Sequence, residues 1–482
     1  MNQEVFETVF IFCSHLLFVS FLGYYLISAL QWYSYKLERI VFHYHRYDWH
    51  LFFFFFPLFV YYIGGFFFYI YLYIIFLPTL FFWYKKLDKK LVFTARVKRF
   101  FLFLFLATIF QNLLCLGLNT CEIYGAILPL FVAVFISMLF EKILFAGYKK
   151  AAKKELESRK DMIVFAITAS YGKTSIKNYL FEILSSKYTS YKTPRSVNTL
   201  AGIIKDINED LPKDTQIYIV EAGARLKGDI DEIARFLNPH FVIIGQIGEQ
   251  HIEYFKTLEN IRNTKMELIN SARLQKAFVH KSTNVKGNEK VQVFGDELED
   301  IHSSLDGIEF DVLLDDKKEH FKAPLLGEFN AYNLLACIIA SKSLLAIEEI
   351  RDAISKIKSV EHRLQKIEAN GKVIIDDSFN GNFEGMSSSY ELVRSYEGRK
   401  VIVTPGIIES NVETNVKLAQ KIDDIFDVVI ITGKTNQETL EKTIKKAQKV
   451  ILKDKTKMQE VLQEFTCKGD LILFSNDTPS FM

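Results

Sequence analysis

Ile167-Thr168-Ala169-Ser170-Tyr171-Gly172-Lys173-Thr174-Ser175 is the stretch on which the reading of this chain turns. The apolar run Met162 to Ile167 before it reads as a buried strand, and Ser175 to Leu184 after it carries a helical pattern. Strand, tight Gly-Lys-Thr turn and helix are the context of a phosphate-binding loop. The free N–H groups at the helix start would face phosphate oxygens, and the helix dipole favours negative charge there. Lys173 would reach the terminal phosphates, and Thr174 would offer its hydroxyl to a magnesium ion. The alternative is a plain strand–helix turn with an exposed lysine, since Ala169 stands where such loops usually lead with glycine.

Working outward, the 482 residues suffice for two to four domains. Most of the phenylalanine lies in the first 147 residues, and the rest has the composition of an ordinary α/β protein. A formal net charge of +2 gives no basis for nucleic-acid binding. Cys13, Cys115, Cys121, Cys337 and Cys467 lie far apart with no metal-type spacing, so neither a disulfide framework nor a zinc site is expected.

The front of the chain reads as membrane helices. Val5 to Leu30, Phe100 to Leu118 and Ile123 to Phe145 are three apolar spans. Leu51 to Tyr84 is a fourth, broken by Pro57, Gly64-Gly65 and Pro78. It is either one overlong helix of about 50 Å or a tight hairpin with short arms. Lys85, Lys86, Lys89, Lys90, Arg96, Lys98 and Arg99, and later Lys149, Lys150, Lys153 and Lys154, mark cytoplasmic ends. With four helices the N-terminus lies inside and residues 31–50 outside; Lys36, Arg39 and Arg46 in that loop favour the hairpin instead. Ionisable residues are scarce within the spans, which argues for an anchor over a transporter. His43, His45, Trp49 and His50 read as interfacial, not as metal ligands.

Behind the phosphate loop, the polar stretch Lys192 to Thr199, with Asn198 and Thr199, precedes a helix. Gln216 to Val220 is a buried strand, with Glu221 and Arg225 beyond its carboxyl end, where α/β sheets bind ligands. Glu221 there suits magnesium, or else caps a helix or pairs with Arg225. His251 follows the next strand, His240 to Ile247, and Lys265 lies on a helix from Leu258; a structural imidazole and a solvated lysine are the plain alternatives. Gly327 to Asn333 opens an apolar helix in which Asn330 suits an N-cap and Asn333 could face a base. Five further strand-like runs after Lys366 alternate with helices, a second open α/β domain. Asp376-Asp377 follow its first strand, with Asn380 and Asn382 in the loop.

Together these segments resemble the Mur ligase family of ATP-dependent amide-forming enzymes, from about residue 162 onward. Thr168 to Ser175 is similar to the family's Thr-Gly-x-x-Gly-Lys-Thr-[Ser/Thr] loop, with Ala169 for glycine. Glu221-Ala222-Gly223-Ala224 followed by Gly228-Asp229-Ile230 resembles the branch that adds D-alanyl-D-alanine. His251 and Lys265 fall where the family has a magnesium-binding histidine and a carbamylated lysine. Gly327, Asn330 and Asn333 resemble the adenine motif, with Phe329 replacing histidine. Arg363 matches an arginine near the phosphates, and Asp376 to Asn382 resembles Asp-Asp-Ser-Tyr-Asn-Ala-Asn.

The resemblance implies ATP and Mg2+ as cofactors. Ala169, Ser170, Gly172, Lys173, Thr174, Ser175, Asn330, Asn333, Arg363 and Asp377 would hold the nucleotide. Thr174, Glu221, His251 and carbamylated Lys265 would hold the metal. Lys173, His251, Lys265 and Arg363 would carry the chemistry, and Asn198, Thr199, Arg225, Asn380 and Asn382 would contact the peptide substrates. The expected architecture is an N-terminal α-helical transmembrane bundle (1–148), a linker (149–161), a P-loop ATPase-like central domain (162–366) and a Rossmann-like C-terminal domain (367–482). The expected product is a D-alanyl-D-alanine adduct of UDP-N-acetylmuramoyl-tripeptide in peptidoglycan synthesis. The setting is the bacterial inner membrane, with the bilayer as partner and a monomeric, cytoplasmic catalytic part. The family's soluble domain that grips the UDP end is not recognisable, which leaves a different, lipid-linked acceptor or an inactive scaffold as alternatives.

Overall fold

The computed structural model describes residues 3–33, 35, 40, 47–87, 90–118, 124–249, 252–379, 381–408 and 410–477. It divides into two compact units, Met1–Lys149 and Lys150–Met482.

Among the described residues, four helices of the chain are long and apolar enough to cross a membrane: Gln3–Trp32, Phe67–Lys86, Ala95–Leu118 and Ile127–Ser158. A shorter apolar helix, Asp48–Ile63, precedes the second of these. The Leu51 to Tyr84 run is therefore the hairpin, not one long helix. Gly65 takes φ +49° at the turn, a conformation open to glycine at little cost. The arms then pack ring against ring: Phe56 on Tyr71 at 5.8 Å, Phe53 on Trp83 at 5.2 Å and Tyr61 on Phe68 at 4.8 Å between centroids. Such aromatic pairs add to the area they bury.

The two ends of this unit are distinct. At one, the Gln31 amide donates to the Val92 carbonyl and accepts from the Val92 N–H, each at 2.9 Å. The Arg96 guanidinium lies 3.6 Å from the Tyr35 ring centroid. At the other, the Tyr61 hydroxyl donates to the Tyr124 carbonyl at 2.6 Å, and the Ala126 N–H donates to Tyr62 at 3.1 Å. The hairpin brings its two outer ends together, so Gln31 and Tyr35 meet Val92 and Arg96 at one end of the unit. That corrects the four-helix arrangement, which separated them. The expectation of unpaired cysteines also fails at one position: Cys115 is disulfide-bonded, while Cys13, Cys337 and Cys467 are free.

The second unit carries a six-stranded, all-parallel sheet in the order β2-β3-β1-β4-β5-β6. Its strands are β1 (Ile163–Thr168), β2 (Ser190–Lys192), β3 (Ile217–Glu221), β4 (Phe241–Ile244), β5 (Lys276–His280) and β6 (Val291–Phe294). β1, β3 and β4 are buried along nearly their whole length, as near-continuous apolar runs covered on both faces must be. One face packs against Lys173–Leu184 and Phe329–Ser341, the other against Leu200–Glu209 and Asp229–Leu237. An antiparallel meander, β7 (Leu298–Ser304), β8 (Gly307–Leu314) and β9 (Lys317–Ala323), joins the first core.

A second six-stranded sheet follows, in the order β10-β11-β15-β12-β13-β14. Its strands are β10 (Gln365–Ala369), β11 (Lys372–Asp377), β12 (Lys400–Thr404), β13 (Val428–Thr432), β14 (Gln448–Leu452) and β15 (Leu471–Ser475). β10 is antiparallel to β11 and the rest run parallel. The five expected strands are present; β10 is an additional edge hairpin.

Candidate active site

The phosphate-loop residues leave β1, the third strand of its sheet, and pass at once into the helix Lys173–Leu184. Gly172 makes the turn at φ +78°, directly before the first helical residue. A Cβ there would sit 2.2 Å from the Asn333 amide oxygen, so conformation and space both demand glycine. Ala169, the substituted position, is accommodated from the neighbouring strand. Its methyl lies 3.0 Å from where a Cβ on Gly245 would be, and the bare Gly245 leaves it room.

The register of the sheet builds the rest. Ile167 on β1 pairs with Glu221 on β3, and Thr168 pairs with Ile244 on β4, so three strands end together around the loop. The Thr174 hydroxyl donates to Glu221 Oε2 at 3.0 Å. Asn198 Nδ2 donates to Glu221 Oε1 at 3.1 Å, and Lys177 Nζ lies 3.5 Å from Oε2. Glu221 is only 1% exposed. Its partners are these three, not Arg225, whose side chain is exposed.

Lys173 folds back on its own loop and donates to the carbonyls of Ala169 at 2.8 Å and Ser170 at 3.0 Å. Burial pushes its ammonium down to about 8, with Glu221 opposing the shift and Arg363 adding to it. Lys265 is 3% exposed, and its side chain has no hydrogen bond or ion pair among the described residues. Burial and then the nearby Lys173 charge lower it to about 7, against the pull of Glu221 and Asp229. Burial lowers the Arg363 guanidinium too, while Asp377 and Glu221 hold it charged. These mutual influences place Lys173, Lys265, Arg363, Glu221 and Asp377 within electrostatic reach of one another.

Arg363 crosses between the two sheets. It is flanked by His362 at φ +62° and Leu364 at φ +50°, and its Nη1 donates to the Phe379 carbonyl at 3.0 Å. Side chains rarely adopt two such conformations so close together; they persist where surrounding contacts over-determine them. One such contact is the His362–Asp376 pair at 2.7 Å. Asp377, fully buried, accepts from the Ser389 hydroxyl at 2.6 Å.

Several expected ligand contacts are engaged by the protein itself. Asn330 is not an N-cap: it lies inside the first turn and donates to the Leu326 carbonyl. Its oxygen accepts from the Tyr179 hydroxyl at 3.0 Å and from Asn333 at 3.2 Å. Thr199 caps the helix Leu200–Glu209, and Asn382 caps Phe383–Arg394. Ser170 donates from its hydroxyl to the Gly248 carbonyl at 3.0 Å, and Ser175 is buried. His251 and Asn380 lie outside the described residues. The sequence reading missed Lys177, 1% exposed beside Glu221; its signal was a lysine one turn after Lys173, on the face that also carries Leu180.

The described residues contain no cluster of three or more His, Cys, Asp or Glu side chains able to hold a metal. A hydroxyl and one carboxylate 3.0 Å apart nevertheless fit Mg2+, which keeps most of its waters and takes few protein oxygens beside phosphates.

Residues 167–341 match the model of the Mur ligase middle domain. The chain is 29% identical to the UDP-N-acetylmuramoyl-tripeptide–D-alanyl-D-alanine ligase of Bacillus subtilis, over 67% of this chain and 74% of that protein. It is 25% identical to the Escherichia coli protein of the same name, over 52% of this chain and 59% of the relative. Among solved structures it resembles the MurF ligase of Thermotoga maritima in complex with ADP, with TM-score 0.58 and 23% identity over 69% and 80% of the two chains. The corresponding Acinetobacter baumannii ligase gives TM-score 0.63 at 22% identity, over 69% and 76%. Loop, strand-end acid and fold agree with these matches, and residues 167–341 of the chain are a Mur ligase middle domain.

Proposed function

We propose that this chain is a membrane-tethered, ADP-forming ligase that adds D-alanyl-D-alanine to UDP-N-acetylmuramoyl-tripeptide. The observation that carries this reading is the charge at the strand ends. Lys173 and Arg363 lie beside Glu221 and Asp377 at the phosphate loop, two cations placed for the oxygens of a polyanion. ATP is that polyanion, and the names of the relatives supply the acceptor and the amine.

When bound, Mg2+ neutralises charge on the phosphate oxygens, held by Thr174 and Glu221. Lys173 leaves the Ala169 and Ser170 carbonyls for the β- and γ-phosphates, and Arg363 stabilises the equatorial oxygens. A tripeptide carboxylate oxygen attacks the γ-phosphorus and ADP departs, leaving an acyl phosphate. The D-alanyl-D-alanine amine then attacks the acyl carbon, loses a proton and expels phosphate. Most of the catalysis is positioning and charge stabilisation. Asn333, against the phosphate loop, and Asp377 orient adenine and ribose; Asn198, Arg225 and Asn382 border the peptide side.

Lys265 is suited to carbamylation. With its ammonium lowered to about 7, a large share is neutral amine near neutral pH, the form that adds CO2 and releases a proton. The resulting anion would sit near Lys173 and face the cation.

The test is ligation itself. The full chain incubated with ATP, Mg2+, UDP-N-acetylmuramoyl-tripeptide and D-alanyl-D-alanine should yield the pentapeptide mass with ADP. Hydrolysis of ATP without that product overturns the acceptor assignment.

The proposed setting is the bacterial cytoplasmic membrane, with the catalytic part inside. With the hairpin, Gln31 and Tyr35 share a side with Val92 and Arg96; counting Asp48–Ile63 as a crossing beside the four long apolar helices gives five crossings and an N-terminus outside. The Cys115 disulfide then lies at the outer, oxidising end. A cysteine replacing Phe66 should react with an impermeant thiol reagent in intact cells, and one replacing Lys90 only after lysis. The reverse pattern contradicts this orientation.

A further inference from the structure

Lys177 takes no part in the reaction as derived above, yet it is among the most buried side chains of the molecule. A buried ammonium needs compensation, and what compensates it is informative. Its Nζ lies 3.5 Å from Glu221 Oε2 and donates to the backbone carbonyl of Arg195. Arg195 has φ +46°, a left-handed conformation that a side chain rarely adopts without outside support. The same segment touches Glu221 twice more. The Glu221 N–H donates to Thr193 Oγ1 at 3.3 Å, and Asn198 donates to its carboxylate. Asn198 also sits so close to Gly223 that a Cβ there would be 2.7 Å away. The 193–199 loop is thus wrapped around the carboxylate, with Lys177 bridging loop backbone and acid.

We propose that Lys177 is a positioning residue that couples the 193–199 loop to the metal-binding carboxylate, so that occupying the cation and phosphate site sets the loop for the peptide substrate. The coupling rests on the ligase reading for the identities of cation and peptide, but the link itself does not. When a divalent cation takes up Oε2, the ammonium loses part of its partner and leans on the Arg195 carbonyl. The loop is thereby held more firmly at the moment the site is loaded. A purely structural lysine would tie the loop equally with and without nucleotide.

Hydrogen exchange of the full chain in detergent separates these cases. Adding Mg2+ with a non-hydrolysable ATP analogue should slow exchange of the 193–199 amides about tenfold in the wild type. In Lys177→Met that slowing should disappear, although the analogue still protects residues 170–175. Lys177→Gln, which tolerates burial as a neutral polar group, should behave as the methionine variant does if the latter fails to fold. Lys177→Arg should restore at least half of the effect. Equal protection of the loop in wild type and neutral variants overturns the proposal, as does a wild-type loop that ignores the analogue. A chain that protects its loop but ligates nothing would instead refute the ligase reading and leave this link standing.

Discussion

Lys173→Ala should lower ATP-dependent amide formation by about a thousandfold or more, in line with what one preorganised charge contributes to a developing oxyanion. The reason lies in where the ammonium waits. It is lowered to about 8 and so remains mostly charged at neutral pH, held by two carbonyls of its own loop 2.8 and 3.0 Å away. Those carbonyls are weak partners for a cation, and a γ-phosphate is a strong one. The exchange therefore favours the nucleotide, and no other cation stands on the loop itself. Alanine removes the charge and leaves the glycine turn and the sheet intact. The variant should still insert in the membrane and give an unchanged melting profile without nucleotide. Near-normal turnover would end the proposed phosphate site.

Lys265→Ala should cost about a hundredfold or more, and short-chain carboxylic acids added to the assay should restore part of the loss. The side chain is buried without a hydrogen-bond or ion-pair partner among the described residues, an expensive state for a structural ammonium. Conversion to a carbamate reverses its charge beside Lys173 and the cation site. The sign of the pH dependence follows from its lowered value. Below about 7 the group is an ammonium and does not add CO2; above it the neutral amine predominates. At limiting bicarbonate, wild-type activity should therefore rise as pH increases through about 7, and the acid-rescued variant should lose that step. Unchanged activity in Lys265→Ala without added acid would reduce Lys265 to a packing residue.

The sequence made the catalytic unit readable because its signals are local. A β-strand, a positive-φ glycine and a helix start fall within a dozen residues, and an acid directly follows a buried strand. The hairpin was harder. One apolar run is equally good as a long helix or as two arms, and the decision rests on ring contacts between residues far apart in the chain, such as Phe53 and Trp83. Asparagine and threonine are ambiguous for a related reason: the same polar side chain caps a helix or holds a substrate. Asn382 and Thr199 are engaged as caps, and Asn330 clamps two helices together. Ala169 counted against a phosphate loop because its compensation, the bare Gly245, belongs to another part of the chain. Lys177 was missed because a lysine on a helix is usually solvated; its place one turn after Lys173 hinted at burial, but only the fold brings it to Glu221.

The central claim is that the peptide carboxylate is activated by the γ-phosphoryl group held at these strand ends. Tripeptide substrate labelled with 18O in its terminal carboxylate tests it most directly. The account predicts that each phosphate released during ligation carries one labelled oxygen, passed through the acyl phosphate. Unlabelled phosphate released alongside amide product would contradict it.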